Sequence, residues 1–286
     1  MDMNVGLAGH AFDRAVALEP LAPGATGAPQ RWRGHTSFEY ANMVGPFGGI
    51  TAAQALQAVM LHPDRLGEPV AFTGNFAAAL TDGAFTIEAQ PARTNRSTQH
   101  WVVTVHQPDA EGQDVVVFTA TVVTAVRRET WGATDLRMSV APPVADVPSV
   151  PSQKRVAWFN RYDMRFFEGP MPRDWNGAEG ASSETGLWVR DEPARPLDFA
   201  SLTALCDVFY PRVWLRRATF TPIGTISFSV YFHADGAALA ACGTGHLLAQ
   251  ARGQRFFNGY FDQSGELWSA SGQLLATTHQ LVYFKE

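Results

Sequence analysis

Charge is scarce in this chain of 286 residues: Asp, Glu, Lys and Arg make up only 17%, against 46% hydrophobic residues. Too apolar for a solvated, disordered polymer, this composition describes a globular chain with extensive buried surface. Positive charge is scarcer still, with 22 Lys and Arg against 27 Asp and Glu and a net charge of -5. No basic footprint suits nucleic acid or an anionic membrane, so any anionic ligand must be met locally. Cysteine is limited to Cys206 and Cys242, in apolar surroundings and without CxxC spacing. Two such residues build neither a disulfide framework nor a metal site, and they read as reduced thiols in the cytoplasm. The longest apolar run, Val115 to Val126, is interrupted by Thr119, Thr121 and Thr124 and is too short to cross a bilayer as a helix. Met1 to Ala17 pairs no basic region with an apolar one and does not read as a signal peptide. Eight histidines show no HxxxH or HExxH spacing, so no metal site is expected. No GxSxG elbow or P-loop supports a serine hydrolase or a nucleotide hydrolase.

What the chain does have is one pattern written twice, an apolar helix followed by long strands. Residues 1–29, ending in the Pro- and Gly-rich Pro20 to Gly24, read as an amino-terminal appendage. Residues 30–128 form the first unit. A strand is expected around Gln30 to Tyr40, and Ile50, Ala53, Leu56, Val59 and Met60 then recur at helical spacing, predicting a helix over 49–61. Strands are expected at Phe72 to Leu80, Phe85 to Arg93, His100 to His106 and Val115 to Val126. Residues 129–155, rich in Pro and Ala without periodicity, read as a linker. Residues 156–286 repeat the order. A strand near Asp163 to Phe167 precedes a polar, Gly-rich stretch, Gly169 to Thr185, that reads as a surface loop or a lid, and Leu187 to Arg190 follows. Asp198 is a plausible N-cap for a helix carrying Leu202, Leu205, Val208 and Phe209, which Pro211 terminates or kinks. Strands at Thr225 to His233, His246 to Arg252, Arg255 to Phe261 and Gln273 to Phe284 complete the unit, with turns at Asp235-Gly236, Ser264-Gly265 and Ser271-Gly272. A helix against antiparallel strands, in tandem, is an α+β arrangement.

Only the second helix carries a carboxylate, Asp207, flanked by Cys206, Val208 and Phe209. Buried there, it would have a raised pKa and suit the work of a base; on the exposed stripe of an amphipathic helix it would do nothing. Thr225 begins a strand soon afterwards. Gln280 sits in the closing strand among Leu274, Leu275 and Val282, where an inward-facing amide needs a partner. His279 beside it falls on the opposite sheet face. The first helix has Ala52, Ala53 and Ala58 where a carboxylate would sit.

Asp207 with Pro211 four positions on, Thr225-Ile226 leading into Ser229 to His233, and Gly272, Leu274, Ala276, Thr278 and Gln280 together resemble the second hotdog of the bacterial acyl-CoA thioesterase II family. Leu247-Leu248, Gly265-Glu266 and Trp188 to Arg190 also fall in register, and Gly48-Gly49 before Gln54-Ala55-Leu56 resembles the family's glycine-opened first helix. Ile50 stands where the family usually has Gln, Ser227-Phe228 replaces a more polar pair and Ala234 a basic residue, departures that bear on substrate choice more than on the reaction. The resemblance implies a double hotdog, with two tandem helix-wrapped antiparallel sheets joined into one continuous sheet. It also implies that Asp207, Thr225 and Gln280 together hold and activate a water that hydrolyses an acyl-CoA thioester. The backbone N–H groups of Gly48, Gly49 and Ile50 at a helix start are the expected oxyanion donors, with a tight turn before the helix as the plain alternative. No cofactor is implied, since coenzyme A enters as part of the substrate. Acyl-CoA is the expected partner, with no nucleic acid or membrane, and further pairing into a homo-oligomer stays open.

Two other readings compete. A duplicated fold that kept its pocket and lost its chemistry would bind acyl-CoA without releasing CoA. A hydratase on the same fold resembles a Gly-Asp-x-Asn-Pro-x-His setting, which is absent here. Phe72, Phe76, Trp188, Phe209 and Trp214 are candidates for the acyl pocket or for plain core. Arg93, Arg96, Arg252 and Arg255 are candidates for CoA phosphates or for surface solvation.

Overall fold

The computed structural model describes residues 9–22, 29–152 and 156–285; the rest of the expected appendage and three residues of the expected linker lie outside the described residues. Strands β1 (Glu19–Ala22), β2 (Gln30–His35), β3 (Glu68–Phe76), β4 (Ala84–Thr94), β5 (Thr98–Pro108) and β6 (Asp114–Ala125) come from the first half of the chain. The second half supplies β7 (Tyr162–Glu168), β8 (Thr185–Asp191), β9 (Ile223–Phe232), β10 (Leu247–Arg252), β11 (Phe256–Phe257), β12 (Tyr260–Trp268) and β13 (Leu274–Phe284). Among the described residues these thirteen strands make one sheet, in the order β1-β2-β4-β5-β6-β3-β9-β13-β12-β10-β8-β7, with β11 paired to β12. The order reads the same outward from the β3–β9 seam on both sides, as expected of a duplicated unit. The molecule is a double hotdog.

The seam removes two exposed edges by pairing Ala71 to Asn75 with Ser227 to Tyr231, antiparallel. Thr73 and Ser229 hydroxyls meet across it at 2.9 Å, and the Phe72 and Phe228 rings lie 6.2 Å apart beneath it. Inward residues alternate along each strand, as in β5, where Trp101, Val103 and Val105 are buried between exposed or half-buried neighbours.

On the inner face lie α1 (Ala11–Ala15), α2 (Gly48–Met60), α3 (Phe199–Leu205), α4 (Arg212–Arg216) and α5 (Gly236–Cys242). In α2, Ile50, Ala53, Leu56 and Val59 are buried as their spacing predicts. Residues 9–22 are built into the fold. Phe12 is fully buried, the Arg195 guanidinium sits 4.9 Å over its ring, and Gln54 Nε2 donates to Ala15 O at 2.7 Å. Residues 129–152 run without sheet or α-helix, yet Val147 is buried and Trp188 Nε1 donates to Pro142 O, so this segment covers Trp188, Leu248 and Trp268.

Apart from strand ends, where the expected Gln30 to Tyr40 stops at His35 and Phe72 to Leu80 is replaced by Glu68–Phe76, four local readings differ from the structure. The second helix ends at Leu205, so Asp207 lies in the turn just beyond it rather than inside. Cys206 N–H still reaches back four residues to Leu202 O, but Asp207 and Val208 donate to Ala204 and Leu205, three back, and Tyr210 before Pro211 is kept out of helical geometry. The expected strand Arg255 to Phe261 is a hairpin. Asn258 and Gly259 both take positive φ, 51° and 78°, the two-residue turn that matches strand twist. Ser264-Gly265 is no turn but the middle of β12, where the missing side chain makes room for the Phe209 ring. Asp235-Gly236, expected as a turn, opens α5, with Asp235 Oδ1 capping Ala238 N–H at 2.8 Å.

Candidate active site

The two helices of the duplication cross where glycine lets them. A Cβ on Gly49 would stand 2.6 Å from Ala204 O, and one on Gly48 would stand 2.8 Å from Asp207 Oδ2. The start of α2 is therefore pressed against the turn that follows α3. Asp207, presented by that turn, accepts from Gln280 Nε2 at 2.6 Å and from the Gly49 backbone N–H. Gln280 projects inward from β13, and its Oε1 accepts from the Thr225 hydroxyl of β9 at 3.4 Å. The structure thus brings Asp207, Thr225 and Gln280 into one hydrogen-bonded string. His279, the neighbour of Gln280, is exposed on the other face.

The three glycine-turn donors are not equivalent. Ile50 N–H donates to Phe47 O at 3.2 Å and Gly49 N–H is committed to Asp207, which leaves the Gly48 N–H uncommitted among the described residues.

Burial pushes the Asp207 carboxyl up to about 7, while the Gln280 amide and the Gly49 N–H favour the ionised form and limit the rise. A carboxylate that ionises near neutrality is matched to proton abstraction from water. Cys206, its neighbour, is no rival nucleophile, because burial and then the Asp207 charge push its thiol well above the usual range.

Asp207, Thr225 and Gln280 open onto a cavity of about 1160 Å³ that reaches from α2 to β12. Its walls are apolar and aromatic, with Phe47 and Phe76 from the first half and Phe209, Tyr210, Trp214 and Phe261 from the second. Of the five residues weighed for an acyl pocket, Phe76, Phe209 and Trp214 line it, while Phe72 and Trp188 belong to the core elsewhere. The Gly169 to Thr185 stretch contributes Pro170, Met171 and Trp175 to the wall, and Trp175 packs edge-on against Trp214 and Phe220 at 5.6 Å each. Arg212, fully buried, ties that stretch to the turn after Asp207 by donating to Ser183 O and Tyr210 O. Arg93, Arg96, Arg252 and Arg255 are exposed and line no part of this cavity.

One polar wall residue escaped the sequence reading. Gln263, on β12 directly opposite Gln280, is buried, lines the cavity and has an amide nitrogen with no hydrogen-bond partner. The signal was present, since Phe261, Gln263, Gly265 and Leu267 share the inward face of an alternating strand.

The sequence models of the acyl-CoA thioesterase N-terminal domain and of the acyl-CoA thioesterase C-terminal domain match residues 39–125 and 139–284. No curated protein sequence matches the chain. Among solved structures, a conserved protein of unknown function with hot dog fold from Alicyclobacillus acidocaldarius is 47% identical, covering 98% of this chain and 99% of that one, with a TM-score of 0.87. A putative thioesterase II from Thermobifida fusca is 18% identical over 98% of this chain and 99% of that one, with a TM-score of 0.79. The acyl-CoA thioesterase II TesB2 from Mycobacterium marinum is 18% identical over 96% and 98%, with a TM-score of 0.71, a likeness of fold. Both halves of the chain fall within one family, and the chain belongs to the acyl-CoA thioesterase family.

Proposed function

We propose that the protein hydrolyses an acyl-CoA thioester to a free acid and CoA, using a water held by Asp207, Thr225 and Gln280. The observation that carries this reading is the 2.6 Å contact between Gln280 Nε2 and Asp207 Oδ1 in the wall of a large apolar cavity. Asp207 takes a proton from the water as the water oxygen bonds to the acyl carbon, and the carbonyl π pair moves onto the carbonyl oxygen. Collapse of the tetrahedral intermediate breaks the C–S bond. The departing sulfur takes up the proton held by Asp207, which returns the carboxylate. A thiolate leaves readily, so no strong acid is needed. Gln280 and Thr225 fix the carboxylate and water rather than exchange protons.

With the chain divided into units at 30–128 and 156–286, the base and its two partners come from the second unit and the glycine turn from the first. Gly48 lines the same cavity beside Asp207, and its uncommitted N–H supports a share of oxyanion stabilisation at the helix start. Cytoplasmic residence agrees with two free cysteines, and among the described residues no helix is long and apolar enough to cross a membrane. Release of thiol from acyl-CoAs of graded chain length, and from a phenyl-substituted one, tests the reading. Release by wild type that vanishes in Asp207→Ala at unchanged melting temperature supports it. Saturable acyl-CoA binding without release means that the protein is a binder.

A further inference from the structure

The string from Thr225 to Asp207 commits most of its own donors and leaves one Gln280 N–H for the water. The Thr225 hydroxyl is spent on Gln280 Oε1 and one Gln280 N–H on Asp207, while the Gly49 N–H is also spent on Asp207. These groups position a base and a water, and beyond the Gly48 N–H a thioester carbonyl calls for a further donor to its oxygen as charge develops there. One side chain in the cavity wall is built to give and has nothing to give to. Gln263 is only 2% exposed, and its Nε2 lacks any hydrogen-bond partner. A buried amide N–H left unpaired is costly, which is why such groups are rare and call for an explanation.

Its place in the sheet supplies one. Gln263 and Gln280 are directly paired across β12 and β13, and both face inward. Directly opposed side chains on one sheet face start about 5 Å apart. Two glutamines of equal length rooted so closely bring their amides to the same depth. The Gln280 amide is at Asp207, 2.6 Å away. The Gln263 amide therefore lies beside the Gln280 amide in the wall of the same cavity, one strand further toward β10. A glutamine amide exchanges its oxygen and nitrogen by a half-turn at its last torsion, so the unpaired donor can face the cavity without backbone movement.

We propose that Gln263 is a further catalytic residue that donates its amide N–H to the acyl carbonyl oxygen of the bound thioester. It acts as the water oxygen bonds to the acyl carbon and the π pair moves onto that oxygen, and it lets go as the pair returns and the C–S bond breaks. Gln263 itself exchanges no proton. The alternative occupant of the unpaired nitrogen is a fixed water, shared with Thr278 on the neighbouring strand β13, whose Oγ1 is likewise buried without a partner.

The inference rests on the thioesterase reading, and two measurements keep their failures apart. The first is steady-state thiol release by wild type, Gln263→Met and Gln263→Glu. Loss of one oxyanion donor lowers kcat by about a hundredfold or more, with KM changed by only a few fold and the melting temperature of Gln263→Met kept or raised, since an unpaired amide is removed. The second is binding of two non-hydrolysable CoA ligands that differ only in a carbonyl, an S-(2-oxoalkyl)-CoA and the matching S-alkyl-CoA. Wild type prefers the ketone, and Gln263→Met loses the preference. Wild type that releases no thiol from any acyl-CoA defeats the thioesterase reading alone, and the ligand pair still reads Gln263. An active wild type with equal kcat in Gln263→Met, or a ketone preference that survives the substitution, overturns the role and identifies Gln263 as the partner of a structural water.

Discussion

The pH profile is where the geometry of Asp207 is most exposed to refutation. A carboxyl raised from 3.8 to about 7 by burial is ionised to only about one part in ten at pH 6 and one in a hundred at pH 5. The value of kcat/KM should therefore rise tenfold per pH unit from 5 to 6.5 and level off above 7.5. Asp207→Asn, which keeps the shape and the contact with Gln280 but has no base, should lose a hundredfold or more at the plateau. Stability should move the opposite way. Because the folded pKa lies above the unfolded one, the folded state holds this proton more tightly, so the contribution is fully present below pH 3.8 and is lost as pH rises through 7. A shift of about three units corresponds to about 4 kcal/mol at most, and the open cavity side of the carboxylate reduces it. Asp207→Asn should thus melt a few degrees above wild type at pH 8 and no higher at pH 4. The assays are thiol release and thermal unfolding across pH 4–9. A wild-type activity profile that is flat from pH 5 to 8, with the fall only near 4, would show an ordinary solvated carboxylate and sink the assignment of Asp207 as a desolvated base.

Other perturbations follow from the same contacts. Gly49→Ala drives a methyl to 2.6 Å from the Ala204 carbonyl, a backbone atom that cannot step aside, and should cost about 1–3 kcal/mol in urea unfolding; Gly48→Ala meets the Asp207 carboxylate instead and should lower kcat tenfold or more with a smaller loss of stability. Phe12→Ala empties a fully buried ring position in α1 and should cost about 3–5 kcal/mol, although Phe12 lines no part of the cavity; an unchanged unfolding midpoint would mean that residues 9–22 only lie against the fold. Trp175→Ala removes an edge-on partner of Trp214 and Phe220 and should raise KM for long acyl chains several fold while leaving short ones unchanged; an equal effect on all lengths would separate this wall from the acyl group.

Much of this was legible in the sequence, and the parts that were not share a cause. Periodicity found α2 and the long strands because their residues obey one spacing across many positions, as Ile50, Ala53, Leu56 and Val59 do. It failed where one contact decides. The end of α3 depends on a change from four-residue to three-residue hydrogen bonds at Asp207, which no hydrophobic count contains. At Asn258-Gly259 the flanking Phe and Tyr residues suit a strand and hide the turn between them. Ser264-Gly265 looks like a turn in sequence because the reason for the glycine, the Phe209 ring, is more than fifty residues away in the chain. Asp207, Thr225 and Gln280 could be named together only by resemblance. Alternation could place Gln263 on an inward face, but its meaning lies in being opposite Gln280 and lacking a partner, which no spacing contains.

The shortening of α3 also bears on why one half of the duplication carries the carboxylate. Where α2 runs for thirteen residues, α3 runs for seven, and Asp207 falls two residues past its end. A carboxylate near a helix C-terminus meets the partial negative charge of the free carbonyls, which opposes ionisation. The start of α2 faces the same carboxylate with the opposite partial charge, delivered through the Gly49 N–H. Asp207 is thus held between the unfavourable end of its own helix and the favourable end of the other one. Moving the carboxylate one turn back into α3 would bury it against β-sheet and helix without the Gly49 donor. The mirror position in α2 has no such arrangement, because α2 continues through Ala52, Ala53 and Ala55 with every side chain packed. Restoring a second base would therefore take more than an Ala→Asp change in α2: the helix would have to end there, and the start of α3, where Asp198 already occupies the Ser201 N–H, would have to give up its cap. A lone Ala53→Asp variant should accordingly lose stability and gain no second turnover.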